Sequence, residues 1–429
     1  MKLVALLLLA GSGVAAAQTP IDIAHARTYF AELREIGRGD SGRLWGQAID
    51  GPMIFADRNT RRVVANMPDS AGLLRDSGGV WVGKLPPDQN VANTSTKWAG
   101  RHWSMLMWPV SDNRYTRRRL LAHESFHRIQ STIGLPAADP SNAHLARADA
   151  RIWMRLEWRA LAEALLRTGP LRAVALRDAL TFRARRHALF PPVAKEDERL
   201  LEMNEGLAEY TGLVLSGLPS SALYDRAAIQ LAQYESQESF ARSFAYASGP
   251  AYALLLDAAG KPWRRNLRSS SDLAALTASA YGIRKVEQSN ADSLITRYLG
   301  ERMIAEERSR EAQRVAREAR LRARFIDGPV LTLPVVSSFN FSFDPNGATP
   351  LPDIGTTYAT ARVTDEWGVL EVTSGGVLMK RPASVITGVV VTAPSADSPV
   401  KGDGWRLELA PGWIVKPGPR NGDFVVQKQ

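Results

Sequence analysis

The sequence predicts an α+β fold in which a small mixed N-terminal lobe, a mainly helical lobe and a C-terminal all-β module follow one another. Three changes of pattern predict this order. Short apolar runs separated by Gly, Pro and Asn fill residues 51–110, and helical periodicity begins at Asn113. Beyond Ile326, Val, Thr, Gly and Pro become frequent. With 429 residues, the chain is long enough for two or three domains with substantial cores.

The first 17 residues have the layout of a secretory signal peptide. Lys2 precedes an apolar run from Leu3 to Ala10, and small residues lead to an expected cleavage site after Ala17. The alternative, a retained membrane anchor, is disfavoured because a spanning helix needs ~20 apolar residues. Charges interrupt every later apolar run. We therefore expect an exported protein, periplasmic or secreted, without a membrane-spanning segment.

Composition restricts the chemistry that the chain can perform. It contains no Cys, which excludes thiol nucleophiles, disulfides and thiolate metal ligands. Any metal must therefore be bound by His, Asp or Glu. The formal charge is +10, but acidic residues are interleaved with the arginines, so we expect no nucleic-acid partner.

The N-terminal lobe, residues 18–112, begins with a predicted helix. The stretch IDIAHARTYFAELREIG has apolar residues at helical spacing and ends at Gly37. After it the pattern changes to short runs bounded by turn residues, which indicates a small sheet. Strands are predicted in GPMIFADRNTRRVVANMP, GGVWVGKLPP and RHWSMLMWPV.

The helical lobe, residues 113–300, is followed by a predicted connecting helix at residues 301–325. The connecting helix is highly charged and its acidic residues offset its arginines, so we expect a solvated connector. Residues 326–429 contain regularly spaced short strands, which predict a β-sandwich-like module. Helices of the lobe are predicted in NRYTRRRLLAHESFHRIQSTIG, HLARADARIWMRLEWRALAEALLRTG, LRAVALRDALTFRARRHALF and KEDERLLEMNEGLAEYTGLVLSG.

His123, Glu124 and His127 form the pattern HExxH in the first of these helices. Two His residues four positions apart lie on one helix face. Their imidazoles can bind one tetrahedral ion with metal–nitrogen distances of about 2.0–2.1 Å. Glu124 is offset by roughly 100° around the helix, so its carboxylate can reach a water molecule beside the metal. The pattern predicts a Zn²⁺ site with Glu124 as general base.

A catalytic zinc site usually takes three protein ligands, and the stretch EMNEGLAEYTG offers three acidic candidates. Glu202, Glu205 and Glu209 lie near one face of a predicted helix at positions i, i+3 and i+7. The alternative is a solvated acidic stripe without a ligand role. The residues alone leave open which of the three glutamates binds the metal.

The two motifs resemble those of gluzincin-type zinc metallopeptidases. The run NEGLAEY is similar to the third-ligand motif of the aminopeptidase N-like family. Between His127 and Glu205 lie 77 residues, more than in the aminopeptidase N-like and thermolysin-like families, so two inserted helices are expected. The resemblance implies zinc ligands His123, His127 and Glu205, general base Glu124, and supporting residues Glu209, which hydrogen-bonds a ligand His, and Asn204.

An oxyanion formed during hydrolysis needs a hydrogen-bond donor. The stretch FARSFAYASGPAYALLLDAAG offers Tyr246 and Tyr252, with Arg242 close by, and Tyr210 is a further candidate. Each tyrosine can equally be a packing residue. The resemblance also implies that the strand in KWAGRHWSMLMWPV pairs with an extended substrate. Its tryptophans, which either line a cleft or pack in the core, are Trp98, Trp103 and Trp108.

These observations predict an exported zinc-dependent hydrolase. A peptidase that acts on a peptide or protein substrate is the favoured kind. The first alternative is a non-catalytic secreted binding protein that retains a zincin-like fold and its zinc site. The second is hydrolysis of a non-peptide amide or ester. Glu124 favours catalysis because a purely structural zinc site does not need a base beside its ligands.

Overall fold

The computed structural model describes residues 20–87, 89–135, 137–344, 347–381 and 385–429. The predicted α+β fold is confirmed: an N-terminal sheet is followed by a helical region and two C-terminal sheets. The predicted signal peptide, residues 1–17, lies outside the described residues. Within the described ranges, no helix is both long and apolar enough to cross a bilayer.

Contacts divide the chain into two compact units. The N-terminal unit comprises the described part of Met1–Gly42 together with Ala48–Arg128. The C-terminal unit comprises Arg43–Gln47 and Ile129–Gln429. The helical region and the β module therefore belong to the same unit.

The N-terminal unit begins with helix α1, Ile23–Asp40. The Asp22 side chain caps it by accepting hydrogen bonds from the backbone amides of Ala24 and His25. The helix continues past Gly37, so the prediction that it ends there is wrong. A Cβ at this position would lie 2.1 Å from the Asp50 carboxylate, so Gly37 permits a close contact and does not form a C-cap. The helix ends at Ser41, which has a left-handed conformation.

Six strands form the predicted N-terminal sheet. In the sheet order β3-β4-β2-β1-β6-β5, β1 and β6 are parallel and the other neighbours are antiparallel. Helix α2, Arg114–Ile129, follows the sheet and carries the HExxH pattern. The strands are β1 Met53–Ala56, β2 Arg62–Ala65, β3 Arg75–Asp76, β4 Trp81–Lys84, β5 Thr94–Trp98 and β6 Arg101–Met107.

The C-terminal unit begins with the helical region. Two predicted helices are more complex than expected: a separate 3₁₀ turn precedes α3, and a π-helical turn at Glu202–Gly206 joins α5 to α6. The helices are α3 Ala148–Leu166, α4 Gly169–His187, α5 Pro192–Leu201, α6 Leu207–Val214, α7 Ser220–Tyr234, α8 Ser243–Ala258, α9 Leu273–Ala280 and α10 Gly300–Arg322.

Helix α10 is the predicted connecting helix, but it is not simply a solvated connector. Glu307 on α10 is fully buried and accepts hydrogen bonds from Arg151 and Arg155 of α3. The Arg151 guanidinium also lies over the Phe240 ring, 3.6 Å from its centre. The expectation of a solvated helix is therefore wrong for this face, because Glu307 is buried with its arginine partners and Met303 is buried beside it.

A second group of charged side chains, which we call the buried ion cluster, lies between α3, α4, α5 and the π-helical turn after α5. It consists of Glu157, Arg183, Arg186, Glu198 and Glu202, all nearly inaccessible to solvent. Arg186 lies 2.5 Å from Glu157 and 2.7 Å from Glu198, and Arg183 lies 2.6 Å from Glu202. Each charge in this low-dielectric region depends on its partners for stabilisation.

The C-terminal module consists of two sheets. Its seven-stranded sheet has the order β17-β18-β7-β14-β13-β10-β9, and its five-stranded sheet has the order β15-β16-β12-β11-β8. Side chains from both sheets, including Leu333, Val363 and Trp405, share one core. The strands are β7 Val330–Pro334, β8 Asn340–Phe343, β9 Ala348–Leu351, β10 Gly355–Tyr358, β11 Ala361–Asp365, β12 Gly368–Val372, β13 Val377–Lys380, β14 Gly388–Thr392, β15 Lys401–Gly402, β16 Trp405–Leu409, β17 Trp413–Pro417 and β18 Phe424–Lys428.

Candidate metal centre

His123 and His127 lie one turn apart on α2, as the spacing predicts. Their Nε2 atoms are 3.2 Å from each other, and the rings meet edge to face. Two imidazole nitrogens that share one tetrahedral zinc ion are about 3.3 Å apart, given the usual zinc–nitrogen bond length. The two side chains are therefore placed as a chelating pair.

Glu124 is 4% exposed on the same helix. Its neighbours Leu121 and Phe126 are completely buried, so the apolar side of α2 packs in a core and holds the helix in place. Ser104 of β6 donates a hydrogen bond to the Glu124 backbone carbonyl over 3.1 Å. This contact joins the sheet to the helical turn that bears the predicted base.

Glu205 lies in the π-helical turn and is 4% exposed. Tyr246 donates a hydrogen bond to its Oε2 atom over 2.6 Å, and Arg242 donates to its Oε1 atom over 2.6 Å. Arg242 also pairs with Asp139. Burial opposes the charge on Arg242, but Glu205, Tyr246 and Asp139 together outweigh burial and raise the pKa of Arg242 above its ordinary value.

The π-helical turn packs unusually closely against α8. A Cβ on Gly249 would lie 2.3 Å from the Cα atom of Gly206, so neither position has room for a side chain. Residues of a π-helical turn are rotated relative to a continuous α-helix, and such turns are frequent at functional sites. The glycine contact therefore supports the turn that orients Glu205.

We expect Gly249→Ala to destabilise the protein by about 1–3 kcal/mol, because the added methyl group overpacks this contact. The free energy of unfolding, measured by urea denaturation, tests this. Gly39→Ala is the matched control, since Gly39 is also helical and its added Cβ meets open space. There the substitution should stabilise the helix by up to about 1 kcal/mol. A Gly249→Ala protein as stable as the parent would contradict the packing argument.

The other predicted acidic candidates are buried too, which rules out a solvated stripe. Both oxygens of Glu202 accept hydrogen bonds from Arg183, and burial raises the pKa of Glu202 to about 7 despite this pairing. Glu209 accepts a hydrogen bond from Gln230 over 2.9 Å. The Asn204 side chain donates to the backbone carbonyl of Ala138 over 2.9 Å.

The two other tyrosines have structural contacts. Tyr252 is completely buried and donates to Glu157 of the buried ion cluster over 2.7 Å, so its hydroxyl is not available to a substrate. Tyr210 is also completely buried and donates to Asp257 over 2.5 Å. Tyr246 is thus the tyrosine candidate whose hydroxyl contacts a predicted ligand.

The tryptophans of the predicted substrate strand differ in their surroundings. Trp98 and Trp103 belong to the core of the N-terminal sheet, and the Trp103 indole donates to the Trp98 carbonyl over 2.9 Å. Trp108 is partly buried and packs against Tyr29 and Phe55. Core packing therefore accounts for two of the three.

Among the described residues, His123, His127 and Glu205 form a group that can hold a metal ion. Each offers one ligand atom, and these atoms all lie within 4.8 Å of one another. Two imidazole nitrogens and one carboxylate oxygen are a donor set suited to a divalent transition metal. Glu202 and Glu209, the alternative third ligands, do not belong to this group.

Sequence reasoning noted Arg242 only as a neighbour of Tyr246 and missed Asp139 entirely. Neither residue lies in a recognisable motif, and the two are 103 positions apart. The glycine pair at the π-helical turn was also missed, although a Gly directly after a predicted ligand is a usable signal. Comparisons of the chain with protein-family models, with curated proteins and with solved structures find no match.

Proposed function

We propose that this protein is an exported zinc-dependent hydrolase that cleaves peptide bonds. The observation that carries the proposal is the approach of two imidazoles and one carboxylate to within 4.8 Å, next to the buried Glu124. Zn²⁺ prefers nitrogen and oxygen donors in this number when one coordination position is kept for reaction. A purely structural site usually has four protein ligands.

Different residues of the chain would then have different roles in hydrolysis. A zinc ion held here supplies Lewis acidity, which polarises a carbonyl group and makes water more acidic. Glu124 accepts the proton of the attacking water and delivers it to the leaving amine. Tyr246, whose hydroxyl donates to Glu205 before substrate binds, would turn this single O–H toward the developing oxyanion.

Two features support the third ligand. The π-helical turn and its glycine contact hold the Glu205 backbone, and two hydrogen bonds orient its carboxylate. A metal ligand that accepts hydrogen bonds from neighbouring residues is held in a defined orientation. Loss of one of these neighbours typically weakens metal affinity by about 10- to 100-fold. Glu209, with Gln230 as its hydrogen-bond partner, remains the proposed support for a ligand imidazole.

Metal analysis of the purified protein tests the proposal. We expect about one zinc ion per chain, as in catalytic sites with three protein ligands. His123→Ala, His127→Ala and Glu205→Ala should each abolish retention of zinc, since each removes one of three ligands. His25→Ala and His102→Ala are the matched controls and should retain it.

The outcome of these measurements separates the alternatives. Zinc retained by Glu205→Ala would contradict the proposed ligand set. Stoichiometric zinc without turnover on a broad peptide library would contradict the peptidase and support a binding protein. Turnover of amides or esters, but not of peptides, would keep the metal chemistry and change the substrate class.

A further inference from the structure

We propose that Arg242 binds a carboxylate group of the substrate, so that the enzyme recognises peptides with a free C-terminal carboxylate beside the cleaved bond. The inference rests on the proposed function and names its substrate class. A peptide's carboxylate can come from its C-terminus or from an acidic side chain, and the experiment below separates these sources.

Arg242 is placed to act on a ligand at the proposed metal centre. It precedes the first turn of α8, and its guanidinium lies 2.6 Å from the Oε1 atom of Glu205. Its side chain is 45% exposed, so a solute can reach it. One residue of extended peptide spans ~3.3–3.6 Å, so a carboxylate one or two residues beyond a bond cleaved beside Glu205 can reach this guanidinium.

The present partners of Arg242 are not equivalent. Glu205 is 6% exposed as a side chain, whereas Asp139 is 61% exposed. Exposed ion pairs contribute little free energy because water screens both charges, so the Asp139 contact is readily exchanged. The buried Glu205 carboxylate is the stronger partner of Arg242.

Binding of a cation to Glu205 changes this balance. The carboxylate then shares its negative charge with the metal, and the like charges of the guanidinium and the cation repel each other. Of the two carboxylates that contact Arg242 among the described residues, Asp139 alone then keeps its full negative charge. A half-exposed guanidinium in this state can form paired, charge-assisted hydrogen bonds to an incoming carboxylate.

An oxyanion-stabilising role for Arg242 is the nearest alternative. Tyr246 contacts the other oxygen of Glu205 and supplies a neutral donor for that purpose. Arg242 additionally points to the exposed Asp139, which shows that its guanidinium already accommodates a second carboxylate. The geometry thus favours recognition of an anionic group over stabilisation of the reacting carbonyl.

Binding of N-acetylated tetra-alanine, as free acid and as C-terminal amide, tests the proposal. Isothermal titration calorimetry on zinc-loaded Glu124→Gln protein measures affinity without turnover. We expect the free acid to bind about 10- to 100-fold more tightly, the size of charge-assisted hydrogen bonds. Removal of zinc with a chelator should reduce this preference, because Arg242 then pairs with Glu205.

Two further variants have opposite expected effects. Arg242→Gln should abolish the preference for the free acid. Its affinity is compared at saturating zinc, with zinc content measured on the same sample, because the substitution also removes a hydrogen bond to Glu205. Asp139→Asn should strengthen binding of the free acid several-fold, because it removes the competing carboxylate. Since Asp139 is exposed, this second variant tests the idea even if Arg242→Gln fails to fold.

An amidated peptide with one internal glutamate identifies the source of the carboxylate. If it binds as tightly as the free acid, and only when Arg242 is present, carboxylate recognition is supported and the C-terminal assignment is overturned. If free acid and amide bind zinc-loaded protein equally, or if the preference survives Arg242→Gln, the whole inference is overturned. The proposed function still stands in that case, provided that the protein binds zinc and cleaves peptides. A protein that binds no zinc refutes the proposed function instead.

Discussion

Replacement of Glu124 by glutamine is expected to lower kcat on a peptide substrate by about 10²- to 10⁴-fold, the range typical of a lost general base. Glutamine has nearly the same size as glutamate but cannot accept the proton of the attacking water. Because Glu124 is not one of the three residues that could hold the metal, zinc content should not change. Initial rates on a peptide pool, together with metal analysis of the same samples, measure both effects.

Glu163→Gln is the matched control for this experiment. Glu163 is half-exposed and pairs with Arg167, which directly follows the end of α3, and it has no role in the proposed site. Its replacement should leave both turnover and zinc content unchanged. Hydrolysis at the parental rate by zinc-loaded Glu124→Gln protein would eliminate Glu124 as the base and with it the proposed division of roles.

Arg186→Ala should destabilise the protein by about 3–5 kcal/mol, because it leaves buried carboxylates without their counter-charge. Arg186 is completely buried and pairs with both Glu157 and Glu198. Burial disfavours the charged form of Glu198, but Arg186 and hydrogen bonds from His144 and His187 hold its pKa well below the ordinary value. Chemical denaturation, read as the free energy of unfolding, measures the effect.

Arg302→Ala is the corresponding control at an exposed ion pair. Arg302 lies one turn from Glu306 on α10, and its side chain is almost entirely in solvent. Removal of such a pair should change the free energy of unfolding by about 0.3–0.5 kcal/mol. If Arg186→Ala cost no more than this control, the buried ion cluster would not be an important source of stability.

Local patterns predicted most of the secondary structure. The strands on either side of Asp57 and the helix that carries HExxH follow from alternation, periodicity and turn residues within a few positions of each other. The end of α1 was mispredicted at Gly37 because a glycine can serve a close tertiary contact as well as a helix end. Local sequence does not distinguish these two uses.

The charged helix α10 was mispredicted for a related reason. Its composition resembles that of a solvated helix, yet Glu307 is buried through Arg151 and Arg155, which lie about 150 positions earlier in the chain. Ion pairs with residues that are distant in sequence allow a polar face of α10 to be buried in the protein interior. No pattern within α10 itself indicates the partners.

By itself, the sequence determined that two imidazoles share one helix face and which kinds of donor atom are available for a metal. His123 and His127 are four positions apart, so helix geometry alone places them on one face, and the absence of Cys leaves only nitrogen and oxygen ligands. Tertiary structure decided which glutamate joins them and which tyrosine lies beside it. Those choices depend on packing between segments far apart in sequence, which bury Glu202 and Tyr252 in the ion cluster and bring Tyr246 to Glu205.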